Sequence, residues 1–301
     1  MSVVSSQRLA AIALWLCVTF AARDSGACAA CNCGDPTLVS AGTEQPFAGR
    51  LRLSAEWRHR TDAIGEPGID RIEIRESRWE MAVAWAPLDN LFLVAHVPIV
   101  ARSTRQVNLG SSDTWGPGDA ELRAKAFVYR DRVFAPRWLI AATLGLKLPT
   151  APFHRDSSGE RLPLEAQAGT GSLDLLVGPS LATFHGEFSG YVSLQLSQPL
   201  LVRDDLVPGA SLRSTLAGQW QATPWLAFRG ASDLRADLAA READLREPNS
   251  GGVVLFTGGD LLVSPAIDLT LSAGARFPTV EALRGAHAEG PVWTAAISYD
   301  L

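Results

Sequence analysis

The sequence predicts an all-β chain: a closed antiparallel transmembrane β-barrel of about 12 strands, with short periplasmic turns and long outer loops. Three observations predict it. Segments in which every second residue is apolar recur from residue 48 to the end of the chain. The connections between them alternate short and long. No stretch after the N-terminus reaches the roughly 18 uncharged apolar residues of a spanning helix.

The first 27 residues read as an export leader. "MSVVSSQR" carries Arg8, "LAAIALWLCVTFAA" is an apolar core, and "DSGACAA" supplies small residues for cleavage after Ala27, with Ala22 and Ala29 as alternatives. Residues 28–47 form a periplasmic segment, "CAACNCGDPTL" and its continuation, too rich in Gly and Pro for a regular element. Residues 48–301 are the barrel. A leader followed by dispersed charge and no spanning helix makes the chain periplasmic, secreted or outer-membrane; the barrel pattern then points to the outer membrane of a Gram-negative bacterium. A net charge of −5 and a pI near 5.6 give no footprint for a nucleic-acid partner.

The first strand is "RLRLSAEWR", with Leu51, Leu53, Ala55 and Trp57 on one face and Arg50, Arg52, Ser54, Glu56 and Arg58 on the other. "WEMAVAW" repeats the pattern. "DAELRAKAFVY" sets Ala120, Leu122, Ala124, Ala126 and Val128 against Glu121, Arg123, Lys125, Phe127 and Tyr129. "IDLTLSAGARF" sets Ile267, Leu269, Leu271, Ala273, Ala275 and Phe277 against Asp268, Thr270, Ser272, Gly274 and Arg276. "NLFLVAHVPIVA", "WLIAATLGLKL", "SLDLLVGPSLATF", "FSGYVSLQLSQ", "ASLRSTLAGQW", "LAFRGASDLRA", "VVLFTGGDLLV" and the closing "WTAAISYDL" complete the set. Most are long enough to cross a bilayer when tilted, at about 9–11 residues. The short turns are "APLDN", "RDRVFAPR", "HGE", "ATPW" and "SPA"; the long loops lie near 60–71, 102–117, 149–171, 200–209, 239–251 and 278–290. In lipid every backbone group needs an internal partner, and a closed barrel leaves no unpaired edge.

Several phrases together, "AWAPLDNLFLVAHVPIV", "WGPGDAELRAKAFVY", "ATLGLKLPTA" and "GTGSLDLLVGPSLA", resemble the outer-membrane family labelled "MetA-pathway of phenol degradation", a transporter-like group. The resemblance spans Trp79 to Leu301. It implies an outer-membrane barrel and uptake of small, often aromatic compounds. It brings no catalytic residues.

On the predicted inner face lie Glu56, Arg58, Glu80, Glu121, Arg123, Lys125, Asp174, Arg213, Arg229, Asp233, Arg235, Asp268 and Arg276. Two readings stand: a lumen filled by paired charges, or a polar path for a small-molecule solute. Trp57, Trp79, Trp85, Trp138, Trp220, Trp225 and Trp293 fall near strand ends or on outward faces, as girdle residues against outer-membrane lipid would. Cys28, Cys31 and Cys33 make C-x-x-C-x-C. Their thiolates could hold copper or zinc, with Asp35 or another molecule completing a zinc shell. They could instead form a disulfide with one spare thiol, or Cys28 could carry lipid. Asn32 stands where a c-type haem site needs histidine. A closed barrel that serves a periplasmic redox or metal partner through these cysteines is the alternative function. No enzyme is expected. His59, His96, His154, His185 and His287 are scattered, no hydrolase or metalloprotease motif is present, and His59 faces outward with no evident partner.

Overall fold

The computed structural model describes residues 48–301, apart from 107–109, 134–135, 156–158, 160, 163–165, 203–205, 243–244 and 247–249. The leader and the cysteine segment lie outside the described residues. The strands are β1 (Leu51–Ile64), β2 (Ile72–Leu88), β3 (Leu91–Gln106), β4 (Gly110–Pro117), β5 (Glu121–Arg130), β6 (Trp138–Lys147), β7 (Ser172–His185), β8 (Phe188–Val202), β9 (Leu206–Val207), β10 (Ser211–Thr223), β11 (Leu226–Asp237), β12 (Arg241–Glu242), β13 (Leu245–Arg246), β14 (Gly252–Ala266), β15 (Leu269–Leu283) and β16 (His287–Asp300).

Each wall strand pairs antiparallel with its neighbour. β1 pairs with both β2 and β16, and β2 pairs with β3, so the sheet closes on itself. The wall has 12 staves, because β4 and β5 continue one another along β3, interrupted at Gly118–Ala120. The three short strands β9, β12 and β13 form a separate small sheet from two loops at the long-loop end.

Alternation decides which side faces the membrane. On β2, Trp79, Met81, Val83 and Trp85 are exposed on the outer wall, while Glu76, Arg78, Glu80, Ala82 and Ala84 are buried inside. The seven tryptophans named above all take outward positions. Trp85, Trp138, Trp220 and Trp225 lie toward the short turns, and Trp57, Trp79 and Trp293 share neighbouring rungs nearer the loops.

Three expectations are corrected. The staves are longer than the sequence suggests: β2 has 17 residues and β3 has 16, and much of the predicted loops at 60–71, 102–117 and 278–290 is hydrogen-bonded strand. Beyond the bilayer both faces of a strand meet polar surroundings, so the alternation fades while the ladder continues. Tyr129 faces outward rather than inward, because the register shifts between Phe127 and Tyr129 and the extra residue reverses the facing. Asp268 is not on the inner wall. It sits exposed in the β14–β15 turn with φ of 64°, the left-handed conformation that Asp tolerates better than most residues.

Candidate functional site

The inner face can be followed from the short turns to the loops. Nearest the short turns it is apolar. Phe92 packs with Ala82, Ala84, Ala86 and Val94, and its ring meets Phe127 edge-on at 6.3 Å. Leu139, Ala182 and Tyr191 form a second cluster that also touches Phe127. Lys125 bridges the two, its ammonium 5.8 Å from the ring centres of both Phe127 and Tyr191. Arg50 and Arg52 both grip Asp300 at this end, at 2.8 and 2.5 Å, tying β1 to β16.

The middle of the lumen is charged, and the charges are paired. Arg58 reaches Glu56 at 2.6 Å and Glu80 at 3.7 Å, Arg78 donates to Glu80 at 2.6 Å, and His96 lies 3.7 Å from the same carboxylate. Arg123 is paired with Glu121. Across the barrel, Asp260 takes Arg229 and Arg276, each at 2.7 Å, and Arg276 also reaches Asp233 at 3.1 Å. Lys147 holds Asp174 at 2.5 Å and donates to Thr170 at 2.7 Å. Toward the loops, Glu76 accepts from Arg102 at 2.9 Å and lies 3.3 Å from Arg60, while Arg235 is paired with Asp237 and Glu289. A charge in such surroundings is tolerable only with a partner, and removing one member of a buried pair costs about 3–5 kcal/mol.

In the long connection between β6 and β7, the described residues Ala151 and Ala166–Thr170 are buried against the inner wall. Asp119, in the interruption between β4 and β5, is the anchor. Its Oδ1 accepts from the Ala151 N–H at 3.1 Å; its Oδ2 accepts from the Thr170 N–H at 2.7 Å, the Thr170 hydroxyl at 3.1 Å and the Gly171 N–H at 3.2 Å. Arg102 donates to the Gln167 carbonyl at 2.6 Å, and Thr114 donates to the Ala166 carbonyl at 2.9 Å. Gln167 is fully buried and cross-links the loop to itself through His154 and Leu162. Opposite, the segment at Pro208–Gly209 leans inward against Leu238. A Cβ on Gly209 would stand 1.7 Å from the Leu238 carbonyl oxygen, so only glycine fits.

Between these two loops and the apolar end lie two cavities of ≈ 50 Å³ each, with Gln195 and Arg213 lining both. The upper one is bounded by Arg78, Lys147 and Asp174 on the wall and by Thr170 from the loop; the lower one by Ser180, Tyr191 and Thr215.

Of the residues singled out from sequence, Glu56, Arg58, Glu80, Glu121, Arg123, Lys125, Asp174, Arg213, Arg229, Asp233, Arg235 and Arg276 lie on the inner face; Asp268 does not. Sequence reading put Arg52 on the polar face of the first strand without singling it out, and missed Arg60, Glu76, Arg78, Lys147 and Asp260, although the alternation of β2 extended back through Glu76 and Arg78 would have found two of them. It also missed Asp119 and Gln167, for which no local pattern exists. His59, expected to stand alone, has a partner: its Nδ1 lies 2.9 Å from the Ser77 hydroxyl on the outer wall, and its ring stacks on Trp57. The two polar groups satisfy one another, and no carboxylate completes a triad among the described residues. Also among the described residues, no cluster of three or more His, Cys, Asp or Glu could hold a metal ion. Cys28, Cys31 and Cys33 lie outside them.

A closed antiparallel barrel with a girdled apolar outer face is the fold of outer-membrane β-barrels. Among solved structures, one shares this fold over its full length. The COG4313 outer membrane channel from Pseudomonas putida F1 superposes with a TM-score of 0.68 at 14% identity, over 89% of this chain and 100% of that one. The translocator domain of autotransporter NalP from Neisseria meningitidis scores 0.46 at 11% identity over 87% and 92%, and the P. putida toluene transporter TodX scores 0.40 at 9% identity over 88% and 91%. At those identities the likeness is one of fold. No family model matches the chain, and no curated protein sequence matches it. The phenol-degradation family resemblance therefore rests on the sequence phrases alone.

Proposed function

We propose that this chain is a channel in the outer membrane, with its short turns in the periplasm, that passes a small solute through the lumen, and that the conformation described is the closed one. The observation that carries the reading is the pair of small cavities at Gln195 and Arg213. They are held between an anchored inward loop and an apolar end, each is small, and the upper one is walled by Asp119 and the loop it holds. The lumen offers charged donors in the middle and Phe92, Phe127 and Tyr191 beyond them. That order suits a small aromatic or otherwise apolar compound bearing one polar group, consistent with the resemblance noted from sequence. The full-length COG4313 likeness supports the channel reading.

The test is flux. Purified protein in planar bilayers and in swelling liposomes should conduct weakly, and Asp119→Ala should raise conductance severalfold by freeing the loop. Absence of conductance from both proteins would overturn the channel reading. Solutes of one size, with and without an aromatic ring and with and without a hydroxyl or carboxyl, would then rank the preference. Metal analysis of the full chain beside a Cys28/Cys31/Cys33 triple serine variant tests the separate proposal of copper or zinc binding. Equal metal in both would end it.

A further inference from the structure

The two lumen cavities lie where short side chains face one another on β8 and β10. On three successive inward rungs, Ser211 stands opposite Ser197, Arg213 opposite Gln195, and Thr215 opposite Ser193. Two of the hydroxyls are engaged. Ser197 donates to Asp174 at 3.2 Å, and Thr215 donates to Asp233 at 2.7 Å. Ser211 differs. It is 3% exposed, it lines the upper cavity, and its Oγ has no hydrogen-bond partner among the described residues. A buried hydroxyl that gives up water without gaining a partner is unfavourable, so its presence beside a cavity points to a group that joins it there.

The charges around the same cavity are already matched. Of its three cations, Arg78 holds Glu80, Lys147 holds Asp174, and Arg213 also has a partner. Of its other carboxylates, Glu121 is paired with Arg123, Asp237 lies 2.9 Å from Arg235, and Asp119 accepts from the loop's N–H groups. An ion stripped of its water needs an opposite charge to replace it, and here each such charge already serves another group. A hydroxyl or carbonyl needs only a hydrogen bond. Gln195, which lines both cavities, carries an amide that can donate or accept one.

We infer that the upper cavity is the subsite for the solute's polar group, that Ser211 Oγ and the Gln195 amide bind it, and that the group is an uncharged hydroxyl or carbonyl. The inference rests on the channel reading above and narrows its solute to neutral molecules. At ≈ 50 Å³ the cavity has room for such a group, since one water needs about 10–15 Å³. The apolar remainder of the solute then points down the lumen, toward Tyr191 of the lower cavity.

Saturation-transfer NMR of the full chain in deuterated detergent tests it. The probes are benzyl alcohol, toluene, benzoate and benzylammonium at about pH 7, where the last two are ions. Wild type should bind benzyl alcohol about tenfold more tightly than either ion. Ser211→Ala and Gln195→Leu should each weaken benzyl alcohol by about three- to tenfold and leave toluene, which has no polar group, unchanged. A variant that only disturbs packing would weaken benzyl alcohol and toluene alike. Heat-dependent gel mobility reports whether each variant is a folded barrel, and the wild-type comparison needs no variant. Binding of either ion as tightly as the alcohol by wild type, or an alcohol-to-toluene ratio unmoved in both folded variants, would overturn the subsite. Conductance is read separately, so loss of the subsite and loss of the channel reading are distinguishable.

Discussion

At the short-turn end the inner face is made of Phe92, Val94, Phe127, Leu139 and Tyr191. At the loop end it is made of Arg60, Glu76, Arg102, Arg235, Asp237 and Glu289. The two ends are held by different means. The apolar end is filled by packing, which is nondirectional and tolerates a change of shape. The loop end is held by ion pairs and by hydrogen bonds to single atoms, such as Asp119 Oδ2 with three donors, which fail together once geometry is lost. The difference suggests which end moves. A loop tethered to the wall by a few side chains, Asp119 foremost and then Arg102, Thr114 and Lys147, can be released from the strands, whereas the aromatic end belongs to the strands themselves.

Substitutions can break that contrast in order of effect. Phe92→Ala removes a nearly fully buried ring from the apolar end and should cost about 3 kcal/mol in denaturant unfolding, the lower part of the usual range because water can enter the space. Its conductance should rise less than that of the loop variant; a larger rise would place the gate at the short turns. Leu194→Arg on the outer wall should cost about 2–4 kcal/mol if that position is near the bilayer midplane, while Gln195→Arg, one residue on and facing the lumen, should cost less than about 1 kcal/mol. Equal costs would contradict the assigned facing. Asp119→Ala should lower stability by about 1–3 kcal/mol through the donors it strands, with its main effect on conductance. Asp131 should give the smallest change. The Trp138 N–H, and then that of Arg137, hold its carboxyl below the usual carboxylate range. A lowered value means that the turn is favoured above the unfolded carboxylate range, near about pH 4, and loses that support as the pH falls through the lower folded value. The protection of the Arg137 and Trp138 amides, their exchange corrected for its intrinsic pH dependence, should therefore fall in acid in wild type and be insensitive to pH in Asp131→Asn.

The wall was legible where it meets lipid. "WEMAVAW" and "RLRLSAEWR" alternate because one face is apolar and the other charged, and those segments are β2 and β1. The upper halves of the strands were not. In Ile72–Arg78 and Val100–Gln106 polar residues occur on both faces, so a ladder read from backbone bonds leaves no hydrophobic period. Tyr129 was misfaced by a one-residue bulge, and Asp268 by a turn that falls at 267–268, after the expected "SPA", so that the next strand starts only at Leu269. The charged lumen could be read, since the facing rule applies to it. The inward loop could not: Asp119 acts through contacts at separations of 32 to 52 residues, and Gln167 is reached by Arg102 across 65, which no local pattern encodes.

The clasp of Arg50 and Arg52 on Asp300 also bears on how the barrel forms. Neighbouring staves elsewhere are joined by hairpins and can zip as soon as their turn closes. β1 and β16 meet across 248 residues at Arg52 and Asp300. Loop-closure entropy grows only logarithmically, so this seam costs roughly 3 kcal/mol more to shut than a short hairpin. That places its pairing late in assembly, after the other rungs have brought the two edges together. A bidentate, two-arginine grip at the end of the seam gives the closing step its register, and it marks the place where the cylinder should first part under mechanical load.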